Sequence, residues 1–355
     1  MRIGVDIKAL RSNSAGIGVY LRSLLRELEA LDRKNEYFLF TPAPVAFEPH
    51  SENFKLVVRE SRLPGILWQQ LLLPGLAKEY ALDVFWGPEQ TIFCLGGRRL
   101  HKVLTVHDFA YRRFPATLRT SVLWILRTFG AASILRADAI VCVSRWTRRE
   151  LLHFYPKCEG KAFVVENGVS APKLEARPRG NFLLFSGSLE PRKNLGNLLS
   201  ALELLAERGV EVQLKIAGPD GWKNSDFETH LRTSKVAKNV TLLGFVPHEE
   251  LFRLYSTCAA LVFPSLYEGF GLPALEALAA GTHVITSAGT PMQEFLGGLG
   301  SYFDPRSPES IAAAIEAFLK TRKVPSQSEL ELRQAILSRL TWQNAAKNLL
   351  KVFEA

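Results

Sequence analysis

Cysteine is scarce in this chain. There are four in 355 residues, and no two form a C-x-x-C pair. A disulfide framework and a thiolate metal site are both poorly served by that pattern. Cys142 and Cys258 fall in or beside apolar, strand-like runs, and Cys94, Cys142, Cys158 and Cys258 are all expected as free thiols, mostly buried. Long apolar runs are missing too. No stretch approaches the roughly 18–20 uncharged residues of a membrane span. The longest candidate, Thr120 to Leu135, is broken by Arg127. The opening "MRIGVDIKAL" alternates like a strand and carries Asp6, where a signal peptide needs an unbroken apolar core. The expected setting is therefore cytoplasmic, with peripheral attachment at the inner membrane face as an added option. There is no Gln/Asn-rich tract, no Gly/Ser linker and no repeat of fixed period.

What is present suits a structured protein of two ordinary domains. The hydrophobic fraction is 47%, enough for two cores at this length. Net charge is +9, and it is uneven. Residues 1–170 hold 24 lysines and arginines against 16 acids, a net +8, which leaves +1 for the remainder. From Arg112 to Arg149 there are eight arginines and one acid, Asp138. Such a half suits an anionic partner, either acidic lipid or a phosphate-bearing substrate; a solvated basic face is the plainer reading. Aromatics are not interleaved with these arginines as base stacking would require, so no nucleic acid is expected.

Along the first half, short apolar runs alternate with amphipathic segments. "RIGVDI", "YFLF", "KLVV", "DVFWG", "KVLTVHD" and "AIVCVS" read as strands. Residues 17–31 read as a helix, with apolar positions at 17, 21, 24, 25, 28 and 31; 66–80 and 118–135 read as further helices. The second half repeats the alternation with "NFLLFSG", "VQLKIAG", "NVTLLGF", "ALVFPS" and "THVITS". These runs are nearly continuously apolar, as central parallel strands should be. The Pro- and Gly-bearing stretch 167–181 reads as the linker. An α/β protein follows, with a domain at 1–170, a second at 181–340, and a last helix at 341–355 capped by Thr341. Ligands of such domains lie beyond the carboxyl ends of the strands.

Four stretches carry chemistry. In "NSAGIGVYLRSLL", Gly16 and Gly18 lie between a strand and a helix, where backbone can approach a phosphate. The third glycine of a dinucleotide fingerprint is absent, and a simple tight turn accounts equally well for the pair. "VHDFAYRRF" ends a strand and puts His107 and Asp108 at its carboxyl end. The ring can bind a hydroxyl or polarise a reacting group, or be satisfied by nearby backbone; Asp108 can orient it, or cap the next turn. In "FSGSLEPRKNLGNLL", Arg192 and Lys193 precede a helix start. Cations are disfavoured at that end of a helix, so their placement asks for a compensating anion, such as a polyphosphate. In "SLYEGFGLPALEALAAG", Glu268 lies past a strand end and Glu276 one turn into the next helix. Gly269 and Gly271 between them permit close ligand approach, and Pro273 suits a first helical turn. One carboxylate can accept two hydrogen bonds from a ribose diol, and the other can hold a sugar hydroxyl.

These pieces, in this order, resemble the retaining, nucleotide-sugar-dependent glycosyltransferases of family 4. The likeness runs through "GIGVYLRSLL", "VHD", "VSRWTRRELL", "NGV", "EPRKNL", "IAGPDG", "LLGFV" and "PSLYEGFGLPALEALAAGTHVITS". The family hallmark is two glutamates separated by seven residues, here Glu268 and Glu276. The "SLEPRKNL" form looks most like the branch of mannosyltransferases that uses GDP-mannose. The resemblance implies a GT-B fold, two doubly wound Rossmann-like domains facing across a cleft, with the C-terminal helix back on the first domain. It implies that Arg192 and Lys193 neutralise the leaving diphosphate. Glu276 would bind the ribose diol, and Glu268 would meet the transferred sugar. Amides of Phe270, Gly271 and Leu272 would hold phosphate and sugar. Gly16 and Gly18 would approach the diphosphate, and His107 the sugar hydroxyls. Loops at Gly218 and at Phe245 and Val246 would frame the base. It further implies no cofactor and no metal. The acceptor would be a saccharide or a polyprenyl-diphosphate-linked saccharide. Two departures stand out: Ser188 where many relatives carry arginine, and Gln293-Glu294 where many carry Pro-Glu. The alternatives are a UDP-sugar-dependent transferase, an epimerase or phosphorylase of similar fold, and a non-catalytic binding module.

Overall fold

Alternating apolar runs become two all-parallel sheets in this computed structural model. It describes residues 1–11, 16–94, 100–170, 172, 178–321 and 325–355. The first sheet is built from β1 (Arg2–Asp6), β2 (Glu36–Thr41), β3 (Phe54–Val58), β4 (Val84–Gly87), β5 (His101–Val106), β6 (Ala139–Cys142) and β7 (Ala162–Val164). Its spatial order is β3-β2-β1-β4-β5-β6-β7. The second holds β8 (Phe182–Ser186), β9 (Gln213–Ala217), β10 (Val240–Gly244), β11 (Ala260–Phe263), β12 (His283–Ser287) and β13 (Gly300–Phe303). Its order is β10-β9-β8-β11-β12-β13. Central strands such as β4, β6 and β11 are buried along their whole length, which is why they lack polar alternation.

The chain divides into two compact units. One comprises Met1–Arg113, Arg119–Gly168 and Leu340–Ala355; the other comprises Phe114–Leu118 and Val169–Arg339. In the first, helix α1 (Ile17–Leu31) buries Tyr20, Leu21, Leu24, Leu25 and Leu28. The C-terminal helix Trp342–Phe353 packs against α1 in that unit. Thr341 caps it, accepting from the Asn344 amide at 3.1 Å. Gly168 of the "NGV" stretch lies so near this helix start that a Cβ there would sit 2.0 Å from the Trp342 nitrogen. Part of the expected linker, residues 171 and 173–177, lies outside the described residues.

The segment 66–80, read as one helix, is two: Gly65–Leu71 and Leu73–Glu79. Pro74 opens the second and has no N–H to return to the preceding turn. The segment read as 118–135 runs Thr120–Arg136, with one wider π turn at Leu126–Gly130. All four cysteines are free, three of them buried and Cys94 half-buried. No helix among the described residues is long and apolar enough to cross a membrane.

Candidate functional site

In the second sheet the strand order reverses between β8 and β11. Loops that leave two neighbouring parallel strands at such a reversal run to opposite faces and open a crevice at their carboxyl ends. Here those loops carry residues 187–194 and 264–271. The first passes through a short turn, Pro191–Lys193, and then Asn194 in the left-handed conformation (φ 61°) before helix α2 (Leu195–Glu207). Asn194 does not cap that helix. Its side-chain amide instead donates to the carbonyls of Pro264 (3.1 Å) and Pro305 (2.6 Å). The Leu266 amide donates to the Arg192 carbonyl at 2.9 Å. The Asn194 side chain and this backbone bond lock the two loops together before the charged groups are counted.

On that frame sit two cations and two carboxylates. Lys193 Nζ lies 2.7 Å from Glu268 Oε1, and Arg192 lies 3.3 Å from Glu268 Oε2. Arg192 also reaches Glu190 at 2.7 Å and donates to the Tyr267 carbonyl at 2.7 Å. Lys193 lies over the Phe263 ring, 4.9 Å from its centroid. The anion that the sequence reading asked for beside these cations is thus supplied in the structure by the chain's own Glu268 and Glu190. All four groups are largely buried. Burial alone would push the Glu268 carboxyl up, but Lys193 and Arg192 overcome it and hold it at about 2. Glu268 is therefore a fixed charge, engaged on both oxygens.

Glu276 sits in the opposite condition. Helix α4 (Leu272–Ala279) starts after Gly271, and a second helix, α3 (His248–Thr257), packs against it. Tyr255 on α3 donates its hydroxyl to Glu276 Oε2 at 3.0 Å. Among the described residues, the one basic side chain within ion-pairing distance is His248, whose Nε2 is 4.0 Å from Oε1. Burial raises the Glu276 carboxyl from an ordinary 4.5 to about 7, with the Tyr255 bond pulling the other way. Burial also lowers the His248 ring, so this neighbour is neutral near pH 7. Two glutamates eight positions apart are held in contrasting ionisation environments.

Gly271 explains why the loop between them needs glycine. Its φ is 98°, and a Cβ would lie 2.5 Å from Met292 Sδ. It offers no side-chain cap, which leaves the first amide of α4 to another acceptor. Gly269 is buried in the same loop and Leu272 is half-buried. Phe270 turns inward and stacks on Phe295, with centroids 5.3 Å apart, so only its backbone remains for a ligand. Gly218 is required by its own fold: a Cβ there would stand 1.9 Å from the Gly187 carbonyl oxygen. Phe245 is exposed and Val246 half-buried after β10.

Gly16, Gly18, His107 and Asp108, singled out in the sequence, lie in the first unit. Gly16 precedes α1 at φ 76°, with open space where a Cβ would be, and Gly18 is buried inside α1. His107 follows β5, and its Nε2 pairs with the Pro88 carbonyl at 2.7 Å. Burial lowers this ring too. Asp108 accepts from the Ala110 amide at 2.9 Å and so caps the next turn. In the arginine-rich stretch, Arg113 is bidentate to Glu150, both contacts at 2.7 Å, and Arg112 donates to the Tyr155 hydroxyl. Among the described residues, no three His, Cys, Asp or Glu side chains gather as a metal site would require.

Sequence reasoning missed Glu190, Ser186, Tyr255 and His248. Glu190 had a local signal, two residues before Arg192. Tyr255 had none, since a tyrosine in an amphipathic helix reads as core.

Two family models divide the chain between them. "Glycosyltransferase Family 4" matches residues 14–171, and "Glycosyl transferases group 1" matches residues 169–336. The chain belongs to glycosyltransferase family 4. A curated relative of this glycosyltransferase is O-antigen chain mannosyltransferase B of Escherichia coli, 25% identical over 100% of both chains. Its fold is GT-B. Sucrose-phosphate synthase from Thermosynechococcus elongatus superposes with a TM-score of 0.77 at 19% identity, over 99% of this chain and 98% of that one. HepE of Anabaena, in complex with UDP and glucose, gives 0.74 at 16%, over 100% and 99%. The glycosyltransferase is thus an enzyme with mannosyltransferase relatives at modest identity.

Proposed function

We propose that this enzyme transfers mannose from GDP-mannose to a saccharide, free or polyprenyl-diphosphate-linked, with retention of the anomeric configuration. The observation that carries the reading is the locked pair of loops that sets Arg192 and Lys193 at the reversal between β8 and β11. The donor diphosphate lies against these cations and the uncapped start of α4. Glu276 accepts from the ribose diol. Glu268, fully engaged by two cations, is neither a free base nor a free nucleophile; it holds a sugar hydroxyl. Transfer then proceeds on one face of the sugar. The C1–O bond to the diphosphate breaks, the acceptor oxygen bonds to C1 from the same side, and its proton passes to the departing diphosphate oxygen. Preorganised cations and amides stabilise the charge that develops there. In this reading they do the work of a metal ion. The mannose assignment is supported by the full-length likeness to an O-antigen mannosyltransferase.

A second donor reading has its own support, since HepE is a structural neighbour solved with UDP and glucose. The acceptor reading draws on the basic first half and on Val122 and Trp124, which are exposed beside Arg119 and Arg127. An acidic membrane surface carrying the acceptor suits that combination. Incubation with labelled GDP-mannose or UDP-glucose in EDTA, over anionic vesicles bearing lipid-linked saccharides, separates these readings. Label from GDP-mannose in the lipid phase is the expected result. Label from UDP-glucose alone changes the donor and keeps the chemistry. An epimerised donor without transfer overturns the assignment.

A further inference from the structure

Ser186 and Tyr255, which have no part in the transfer chemistry above, form a buried hydrogen-bonded chain with Glu276. Tyr255 is fully buried. Its hydroxyl is 2.6 Å from Ser186 Oγ and 3.0 Å from Glu276 Oε2. An ionised carboxylate can only accept, so the tyrosine donates to Glu276. The tyrosine oxygen then accepts from Ser186. Ser186 is the last residue of β8, at the sheet reversal. The chain therefore ties the carboxylate on α4 to the carboxyl end of β8.

We propose that Ser186 and Tyr255 are positioning residues that aim Glu276 at the ribose of a nucleoside diphosphate and set the preference for ribose over deoxyribose. The inference rests on the donor-site reading above. The geometry supplies the reason. Tyr255 occupies Oε2 and leaves Oε1 to accept. A vicinal diol offers two O–H donors to one carboxylate, whereas a 2′-deoxyribose offers one. Without the tyrosine the carboxylate is free to rotate about its last torsion, which has no sharp preference. It also loses a donor that favours its ionised form. Among the described residues, the other titratable group facing it is His248, neutral near pH 7 and 4.0 Å away.

The test is binding of GDP and 2′-deoxy-GDP, with UDP and 2′-deoxy-UDP in parallel, to the wild type and to Tyr255→Phe, Ser186→Ala and Glu276→Gln. Hydrogen bonds to a charged group support a loss of about tenfold for the ribonucleotide in Tyr255→Phe, and a much smaller loss for its deoxy analogue. The ribo-to-deoxy ratio should collapse toward that of Glu276→Gln. Ser186→Ala should move it part of the way. The pH midpoint of ribonucleotide binding should also rise in Tyr255→Phe. Equal weakening of both nucleotides by Tyr255→Phe would show core support only and overturn the proposal. A ratio unchanged in Glu276→Gln, or no preference in the wild type, would overturn the donor-site reading of Glu276 and the proposal with it. Should Tyr255→Phe fail to fold, Ser186→Ala decides by the same ratio.

Discussion

Replacing Glu276 by glutamine removes a charge that folding must desolvate, while the new amide oxygen can still accept from Tyr255. The carboxyl moves from an ordinary 4.5 to about 7 in the folded chain. Between those values the folded state keeps a proton that the unfolded state has lost. Stability therefore falls as pH rises through this window, and the deficit is complete above the folded value. At about 1.4 kcal/mol per unit the full deficit is about 3 kcal/mol, of which roughly 1 kcal/mol has developed at pH 5. Glu276→Gln should thus be more stable than the wild type, with an advantage that grows by about 2 kcal/mol from pH 5 to pH 8. For a unit of this size that corresponds to roughly 4–8 °C in the melting temperature. Urea unfolding of both proteins across that range reads the difference directly. In the same variant, nucleoside diphosphate binding should weaken. Gain in stability and loss of binding together mark a carboxylate kept buried for its ligand. An advantage that stays flat or shrinks from pH 5 to pH 8 would show that burial does not raise the Glu276 carboxyl.

Other substitutions test the neighbouring groups. Lys193→Ala should lower turnover by about 10²–10³ with the fold intact by circular dichroism, as loss of one charge-stabilising donor does elsewhere; unchanged turnover would remove Lys193 from the chemistry. Glu268 behaves oppositely to Glu276, because its folded value is depressed from 4.5 to about 2. Its stabilisation is present above the ordinary value and is lost as pH falls through the folded one. Glu268→Gln should therefore be less stable than the wild type at pH 6, with the deficit narrowing by pH 3; a constant deficit would contradict the pairing. Gly271→Ala should cost about 1–3 kcal/mol through its positive φ alone. Adding Met292→Ala should recover only the steric part, which a double-mutant cycle in urea would resolve.

The fold was legible wherever local pattern and tertiary role agree. Helix 17–31 carries its apolar stripe at the right spacing, and the buried parallel strands are continuous apolar runs. The short edge strands β7 and β13 were not read, because an edge strand of three or four residues has little pattern to show. The break before Leu73 needed the consequence of Pro74 to be taken further than periodicity allows. At the site, Arg192, Lys193, Glu268 and Gly271 announce themselves as charge or glycine where a helix begins. Glu190 was passed over because one carboxylate among charged neighbours looks solvated. Tyr255 and Ser186 were invisible because their role exists only once β8, α3 and α4 are brought together. Phe270 lies in the same loop with its ring against the core, and the expectation concerned only its backbone amide.

On the proposed function, the loops after β8 and β11 form a diphosphate site that works without a metal ion. Calorimetric titration of GDP and UDP in EDTA, against the wild type and an Arg192→Ala/Lys193→Ala variant, tests it most directly. Saturable binding of one nucleoside diphosphate to the wild type is expected, weakened at least about 100-fold in the variant, in line with the loss of charge-assisted hydrogen bonds. Equal affinity in both proteins, or binding that appears only when magnesium is restored, would contradict it.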